Sequence, residues 1–570
     1  MKKIFVLLST ALIIVLAGCN KKLIEEPKSI LVPEFFKTSQ GLESGLDAAY
    51  AGMRSFWGNQ NLFTITVIGT DGFMRGVDGN SDINLYSSNY TPSQGTISSI
   101  WKDAYTFINT CNGIVDNVPN VDIPQARKDQ MLAEAKFLRA NYYFILVQFY
   151  GDVTLNKSFQ TVPTTSATRD KMADAYDFII QDLKDAIAVL PAGPKTGGVL
   201  PGKANAAAAK HVLAKVYLTR AGSSAKQADD YVNAYNTATD LINSSASIGL
   251  NLLPDFAKIF AEGNEANNEV LWTVQHTADI AFNGPNNSGG ADNVLNHMWV
   301  PQYEKRPGMV RSTEYGRPYI RCIPTLWLVD TVFKERVNDT RYSKTFQTVW
   351  YANNPDPSEK GYPKWPSPLP AGAPAGAVAG QVQFHLGDTA IYMPGYNVTD
   401  AQIKAAPYLL IPPRKYSNTL SPTMFKYFDT KRADLNSPSI RPVIVYRLAE
   451  TYLIAAEAAF MSGKIPEAVG YVNAVRERAA FPTGDAQAMD IKASDLSIDF
   501  LLDERSRELC GENMRWWDLV RTGKLLERVR LHNKEAAPNI QPKHILRPIP
   551  QSQIDNTTTG TPYPQNPGWD

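Results

Sequence analysis

Two glutamates near the carboxyl-terminal end of the chain stand four residues apart, at the spacing of one helix face. Glu504 and Glu508 could therefore act as the paired carboxyl groups with which a glycosidase cleaves a sugar bond. Arginines are interleaved with them, however, and this mixture of charges favours ion pairs between neighbouring helices. We therefore predict a structural role for the block, whose charged residues are Glu504, Arg505, Arg507, Glu508, Glu512 and Arg515.

Aromatic side chains supply a second kind of chemistry. A flat ring can cover the apolar C–H face of a sugar, while amide and guanidinium groups bind its hydroxyls. Three stretches combine these residue types, and we predict that ligand contacts come from Arg75, Asn84, Tyr86, Tyr90, Trp299, Tyr303, Tyr315, Trp350 and Trp365. The second stretch also contains Asn296, Arg311, Arg317 and Tyr319. The alternative is that many of these rings simply pack an irregular part of the interior.

Other catalytic and cofactor-binding patterns have little support. The six histidines show no ligand spacing, and neither an HExxH helix nor a GxSxG elbow occurs, which argues against zinc and serine hydrolases. Residues 197–203 have the spacing of a phosphate-binding loop, but Ala204 follows where Ser or Thr should hold magnesium. We therefore predict no cofactor.

Residues 78–84 alternate Asp and Asn, as the oxygen ligands of a calcium loop do. Ile83 occupies the position that requires glycine, which excludes an EF-hand. We interpret the segment as a polar turn and predict no metal; a looser cation site is the alternative.

The amino terminus carries another reactive group, the thiol of Cys19. Lys2 and Lys3 precede an apolar run that is too short to cross a bilayer and has the charge and length of a secretory signal. The run ends in Leu-Ala-Gly-Cys at residues 16–19, which is similar to a bacterial lipoprotein box. We predict acylation of Cys19 and firm anchoring, because each buried CH₂ contributes about 0.8 kcal/mol. An ordinary secretory signal with an incidental cysteine is the alternative.

Amphipathic helices must position these groups. Apolar residues recur every three or four positions through most of residues 39–250 and 441–530, and paired helices with short breaks are typical of tetratricopeptide-like hairpins. Residues 58–93 and 251–440 lose this period, so we expect a long loop in the first and a loop-rich segment with a little β structure in the second. The sequence predicts a mainly α fold, a scaffold of helical hairpins with an irregular loop-rich insertion.

The pattern divides the chain into six parts of one compact unit. They are a signal peptide (1–18), a lipid tether (19–38), an N-terminal helical scaffold (39–250), a variable loop-rich ligand-binding region (251–440), C-terminal helices (441–530) and an extended tail (531–570).

Composition restricts the class of partner. The formal net charge is only +1, and no basic stripe occurs, so we predict no nucleic-acid binding. Aromatic residues make up 10% of the chain, with 10 Trp and 26 Tyr, which is more than a bare helical scaffold requires and indicates a surface for a flat ligand. Cys111, Cys322 and Cys510 lie too far apart to indicate a disulfide framework.

Several blocks, in this order along the chain, resemble the SusD/RagB family of outer-membrane nutrient-binding lipoproteins of Bacteroidetes. They are AEAKFLRANYYFILVQFYGDV (133–153), KANAAAAKHVLAKVYLTRAG (203–222), RPVIVYRLAETYLIAAEAAF (441–460), DERSRELCGENMRWWDLVRTGKL (503–525) and LRPIPQSQID (546–555) with QNPGW (565–569).

The resemblance implies a helical, non-enzymatic protein of the outer membrane, lipid-anchored and facing the exterior. It implies further that the protein binds glycans and delivers them to a SusC-like TonB-dependent transporter. A peptide-binding subunit of the RagB kind and an all-helical lipoprotein glycosidase are the alternatives.

Overall fold

A computed structural model of the chain describes residues 33–279, 292–356 and 358–569. The predictions for the signal peptide and for Cys19 lie outside the described residues. No helix within the described ranges is both long enough and apolar enough to span a bilayer.

The fold is mainly helical, as predicted. In chain order the α-helices are α1 (Ser39–Gly52), α2 (Gln60–Val67), α3 (Ser81–Leu85), α4 (Gly95–Asn117), α5 (Gln125–Tyr150), α6 (Met172–Val189), α7 (Ala206–Ala221), α8 (Asp230–Ser244), α9 (Phe256–Ile259), α10 (Leu295–Met298), α11 (Arg341–Thr345), α12 (Asp400–Ala405), α13 (Leu448–Met461), α14 (Ile465–Ala479), α15 (Ile498–Glu508), α16 (Arg515–Arg521), α17 (Leu525–His532) and α18 (Gln551–Asn556).

Short strands join distant parts of the chain. They are β1 (Phe73–Arg75), β2 (Val270–Val274), β3 (Cys322–Pro324), β4 (Phe346–Gln347), β5 (Val349–Tyr351), β6 (Thr389–Tyr392), β7 (Leu409–Leu410), β8 (Thr423–Met424) and β9 (Val443–Arg447). The pairs β1–β3, β2–β9 and β4–β8 are antiparallel, and β5, β6 and β7 form a three-stranded sheet.

The long helices form one row, in which α1, α4, α5, α6, α7 and α8 each pack on the next. Helix α8 then packs on α13, although about 200 residues separate them in sequence. Small side chains allow this close approach, since Ala455, Ala456, Ala458 and Ala459 are fully buried. The chain therefore leaves the row of helices after α8, forms the insertion, and returns to the row at α13, which packs directly on α8.

The insertion has an apolar core of its own. Tyr303, Tyr315, Trp350 and Ile391 pack together there with other buried side chains. Strand β9 joins this region to the scaffold, because its first residue, Val443, pairs with Val274 of β2. The six-part division of the chain stays a prediction.

The charged block of α15 is part of the interior. The Glu508 carboxylate is fully buried and accepts hydrogen bonds from Arg341 Nη1 at 3.0 Å, Arg447 Nη1 at 2.6 Å and Arg478 Nη2. Burial opposes ionisation of Glu508, but the charges of these arginines outweigh it and lower its pKa. Buried charges are tolerated only when paired, so the predicted structural role is confirmed and Glu508 is no candidate for a catalytic acid.

Residues 58–93 differ from the prediction of a long loop, because they contain α2, β1 and α3. Every residue from Leu62 to Thr70 is buried, so most of α2 has no exposed face and shows no helical period. Asn59 begins α2 by accepting the Asn61 N–H, and Asn80 begins α3 by accepting the Ile83 N–H. The amides of this segment therefore cap helices.

Candidate functional site

A polar cleft of about 580 Å³ lies where residues 58–93 meet the insertion. This volume is within the range of about 300–1,000 Å³ that is typical of ligand sites. Its lining residues, which define the polar cleft here, are Asn59, Gln60, Asn61, Asp78, Asp292, Val294, Arg311, Arg317, Pro318, Tyr319 and Arg321.

One wall is built by the pairing of β1 with β3. Arg75 lies opposite Cys322 in that pair. The two segments continue side by side beyond it, because the Gly76 N–H donates to Arg321 O at 3.0 Å and the Asp78 N–H donates to Ile320 O at 3.3 Å. A Cβ atom on Gly76 would lie 2.1 Å from Ile320 O, so only glycine allows this approach. The wall depends on two segments about 240 residues apart.

The opposite wall begins at Gly58, which accepts a hydrogen bond from the Val294 N–H at 3.0 Å. Gly58 has a φ of +104°, and a Cβ there would lie 2.9 Å from Nε2 of His276. The start of α2 and residues 292–294 are thereby held together, and their polar side chains face one cleft.

Tyr319 supplies the aromatic surface of the cleft, and its side chain is partly exposed. The guanidinium carbon of Arg317 lies 5.0 Å from the ring centroid, and that of Arg321 lies 5.3 Å from it. The His297 ring lies 4.9 Å away, and burial together with the charge of Arg432 lowers the pKa of His297 to about 4. His297 is therefore neutral at pH 7, and the charge around Tyr319 comes from the arginines.

Two carboxylates add hydrogen-bond acceptors. Asp78 is exposed, and Asp292 is half-buried. The buried Oδ1 of Asp292 accepts no hydrogen bond from the described residues, and burial raises the pKa of this carboxyl. The polar cleft thus combines a ring, guanidinium donors and carboxylate acceptors, which is the set of groups that binds a polyhydroxylated ligand.

The structure places the first group of predicted site residues against the C-terminal tail. The Asn84 side chain accepts the Arg75 N–H at 3.0 Å and donates to Glu535 at 2.8 Å. Tyr86 and Tyr90 are buried, and the Tyr90 hydroxyl accepts a hydrogen bond from Arg547 at 3.0 Å. These residues fasten the tail to the scaffold, and their contact with a ligand stays a prediction.

The second group is also buried. Trp299 is 4% exposed, and its ring lies between Phe63 at 4.9 Å and Phe73 at 5.1 Å. The Tyr303 hydroxyl donates to Gly316 O at 2.9 Å, and the Tyr315 ring packs against Tyr303 at 5.4 Å. These rings support the segment that carries Tyr319 and do not face the cleft.

In the third group, Trp350 belongs to the insertion core and Trp365 is buried outside that core. Trp350 is fully buried in β5, and Trp365 is buried next to the bridge between Lys364 and Val382. None of the nine predicted residues lines the polar cleft. Their contact with a ligand stays a prediction that burial argues against, because a buried ring has no free face to offer.

The sequence contained a signal for the residues that do line the cleft. Arg317, Tyr319 and Arg321 alternate along the chain, and alternate side chains of an extended segment share one side. Arg317 and Tyr319 belong to the second aromatic stretch of the sequence analysis, from which the predicted ligand contacts are Trp299, Tyr303 and Tyr315. Nothing in the sequence pointed to Asp292 or Asn59, since their neighbours in the cleft are remote in the chain.

A larger groove of about 940 Å³ lies on the scaffold, between α4, residues 154–167 and α18. Hydroxyl and amide groups dominate its lining, Lys102 is its one charged residue, and Trp101 and Tyr105 form its aromatic part. The Trp101 indole donates to Gln553 and the Tyr105 hydroxyl donates to Thr154 O, so both polar ends are already occupied. The polar cleft, whose donors and acceptors are less engaged, is the stronger candidate.

Comparison with protein families gives two matches. The model of the SusD family matches residues 258–569, more than half of the chain. A second model, described as starch-binding associating with outer membrane, matches residues 25–218. Among curated proteins, the chain is 28% identical to SusD-like protein P2 of Formosa agariphila, over 98% of both chains.

Solved structures share the fold over nearly the whole chain. A SusD homolog from Bacteroides thetaiotaomicron has a TM-score of 0.70 at 22% identity and covers 93% of this chain and 97% of that chain. A laminarin binding SusD-like protein has a TM-score of 0.64 at 24% identity, and surface glycan-binding protein A from Bacteroides fluxus has a TM-score of 0.64 at 20% identity. Each covers 93% of this chain and 99% of its own. At these identities the likeness establishes the fold.

Proposed function

Because the chain belongs to the SusD family, whose members are glycan-binding surface proteins, we propose that it captures glycans at the outer membrane and delivers them to a SusC-like TonB-dependent transporter. In this proposal Cys19 carries the lipid anchor and the protein faces the exterior. The ligand is held by contact and is passed on intact, so no bond is broken.

The polar cleft is the observation that carries this proposal. Tyr319 offers a partly exposed ring for the C–H face of a sugar, and Arg317, Asp78 and Asn61 line the same cleft with donors and acceptors for hydroxyls. The cleft is open to water, so polar groups of the ligand exchange one set of hydrogen bonds for another. We therefore expect modest affinity per site, with much of the binding free energy coming from ring stacking.

The same features favour a glycan over a peptide of the RagB kind. A peptide groove needs apolar pockets for side chains, whereas the apolar residues of the cleft are limited to Val294, Pro318 and Tyr319. A glycosidase would need two carboxyl groups in fixed positions on either side of a sugar bond. Asp78 and Asp292 are the lining carboxylates, and hydrolysis by them is the outcome that would replace capture by catalysis.

The test uses the soluble Cys19→Ala protein and a panel of polysaccharides and peptides, measured by isothermal titration calorimetry. Tyr319→Ala is expected to weaken glycan binding by at least about tenfold, because it removes the stacking surface. Tyr351→Ala is the matched control, since that ring is 51% exposed and does not line the cleft. Binding of peptides alone would favour the RagB-like alternative.

Reducing-end release is measured in the same samples. Sugar release that disappears in Asp78→Asn or Asp292→Asn would show that the protein is an enzyme. Equal affinity of wild type and Tyr319→Ala would remove the polar cleft from the proposal.

A further inference from the structure

We infer that the polar cleft is built for an acidic saccharide, whose carboxylate or sulfate group binds to the guanidinium groups of Arg317 and Arg321. This inference rests on the proposed function and narrows the ligand from glycans in general to glycans that carry negative charge. It comes from arginine N–H donors in the cleft that have no acceptor among the described residues.

Arg317 is the first of these donors. It is half-buried, yet it makes no hydrogen bond and no ion pair with the described residues; its contact is with the face of the Tyr319 ring. A guanidinium carries five N–H donors in a planar fork that matches a carboxylate or sulfate group. The Arg317 side chain lines the cleft, and the described residues use none of its N–H donors.

Arg321 is engaged at one nitrogen. Its Nη1 donates to the main-chain oxygen of Asp78, which turns the guanidinium toward the Tyr319 ring. Its Nε is buried and has no acceptor among the described residues. A buried N–H without an acceptor is unfavourable, and an anion that accepts from it would remove that cost.

Several other arginines in the described part of the chain also keep a buried nitrogen without an acceptor, and they differ in whether a carboxylate pairs with them. Arg478 and Arg505 each have such an unsatisfied nitrogen, but Arg478 pairs with Glu269 at 2.8 Å and Arg505 with Asp518 at 2.7 Å. Arg321, like Arg306 and Arg547, has an unsatisfied buried nitrogen and no carboxylate within ion-pair distance among the described residues, but of these three only Arg321 lines the polar cleft. The carboxylate that this arginine lacks is the group that an acidic sugar would bring.

The acidic residues of the cleft form no ion pair with Arg317 or Arg321. Neither Asp78 nor Asp292 lies within 4.0 Å of the guanidinium nitrogens of Arg317 or Arg321, the limit for an ion pair. The third arginine of the cleft, Arg311, is already paired with a glutamate at 3.1 Å. The aspartates are thus free to accept hydroxyl groups of the same sugar whose acidic group binds the arginines.

The experiment compares three named probes on the soluble Cys19→Ala protein: polygalacturonate, which is carboxylated, carrageenan, which is sulfated, and laminarin, which is neutral. We expect at least one acidic polymer to bind more than about tenfold tighter than laminarin, with affinity that falls as salt rises. Arg317→Gln and Arg321→Gln are each expected to weaken acidic-polymer binding by about 10–100-fold, the usual range for a lost hydrogen bond to a charged group.

Two further variants distinguish binding by the planar guanidinium donors from general electrostatic attraction. Arg317→Lys keeps the charge but loses the planar donors, so it should restore only part of the affinity. Arg414→Gln is the control, because Arg414 is paired with Asp400 at 2.7 Å and does not line the cleft. Circular dichroism and thermal melts establish that each variant is folded.

The outcomes distinguish the inference from the proposed function. Binding of laminarin without binding of either acidic polymer overturns the inference and leaves glycan capture standing. Acidic-polymer binding that Arg414→Gln reduces as much as Arg317→Gln does would reveal general electrostatic attraction, which also overturns it. Failure of all three polymers to bind would contradict the inference and the proposed function together.

Discussion

Asp71 connects the loop that leads to the polar cleft with the C-terminal helices. Its carboxylate is fully buried and accepts hydrogen bonds from Arg515 Nε at 2.8 Å, Arg515 Nη2 at 2.6 Å and Arg528 Nε at 2.8 Å. Its main-chain oxygen accepts a further bond from Thr325 at 2.7 Å. Strand β1, which pairs with β3 to form one wall of the polar cleft, begins two residues later. We therefore predict that Asp71→Asn lowers the stability of the protein and loosens that wall.

The expected loss of stability follows from the arginine partners of Asp71 and from the pKa of its carboxyl. Asp71→Asn would leave the Arg515 side chain, which is 11% exposed, with no carboxylate partner among the described residues. Removal of one partner from a buried ion pair typically costs about 3–5 kcal/mol. Burial alone would raise the pKa of Asp71, but the charges and hydrogen bonds of Arg515 and Arg528 outweigh it and lower that pKa from 3.8 to about 2. This shift corresponds to about 2 kcal/mol of stability that depends on ionisation.

The sign of the pH dependence is fixed by the direction of the shift. A carboxyl whose pKa is lower in the folded state stabilises the protein above its unfolded pKa, here 3.8, and loses that contribution as the pH falls toward 2. The stability difference between wild type and Asp71→Asn should therefore be constant from pH 7 to pH 5. It should shrink by about 1 kcal/mol at pH 3, where roughly half of the ionisation-linked stability is gone.

Urea denaturation followed by tryptophan fluorescence measures this difference at pH 7, 5 and 3. Asp400→Asn is the matched control: its carboxylate is exposed and pairs with Arg414 at the surface, so the urea midpoint should not change. An Asp71→Asn midpoint equal to that of wild type at pH 7 would refute the reasoning. So would a difference that grows as the pH is lowered.

Two further predictions concern residues that the sequence analysis singled out. Trp299→Ala should lower the free energy of unfolding by about 3–5 kcal/mol, because the ring is 4% exposed and packs between Phe63 and Phe73; a urea midpoint unchanged from wild type would show that the ring is not a core residue. Cys19→Ala should move the protein from the membrane fraction to the soluble fraction after cell lysis, because the acylated thiol is lost; a variant that still sediments with membranes would contradict the acyl anchor.

The helical part of the fold could be predicted because its information is local. Apolar residues at helical spacing predict α4 and α6, and the Ala-rich composition of α7 and α13 predicts close packing. The structural role of Glu508 also followed from local pattern, since arginines occupy neighbouring positions of the same helix. The identity of its partners did not follow, because Arg341 and Arg447 come from other elements.

The aromatic site residues could not be sorted into core and surface from the sequence. In a helix, periodicity tells which face meets solvent, but an irregular segment such as residues 292–324 has no such period. Whether a ring in that segment is covered depends on what packs over it. Trp299 is covered by Phe63, which lies more than 200 residues away, whereas Tyr319 is left partly open.

The sequence by itself was therefore sufficient to predict the helical scaffold, to predict export and anchoring at Cys19, and to recognise the blocks that resemble the SusD/RagB family. Each of these features is recognised from residues that lie close together in the chain. Only the tertiary structure decided which groups share a cleft. Asp78 and Arg321 become neighbours because β1 pairs with β3, and the Gly58–Val294 contact closes the other side. Burial and proximity are properties of chain segments that meet only on folding. The same folding that buries Trp299 places the guanidinium of Arg317 on the Tyr319 ring, with no hydrogen-bond acceptor among the described residues.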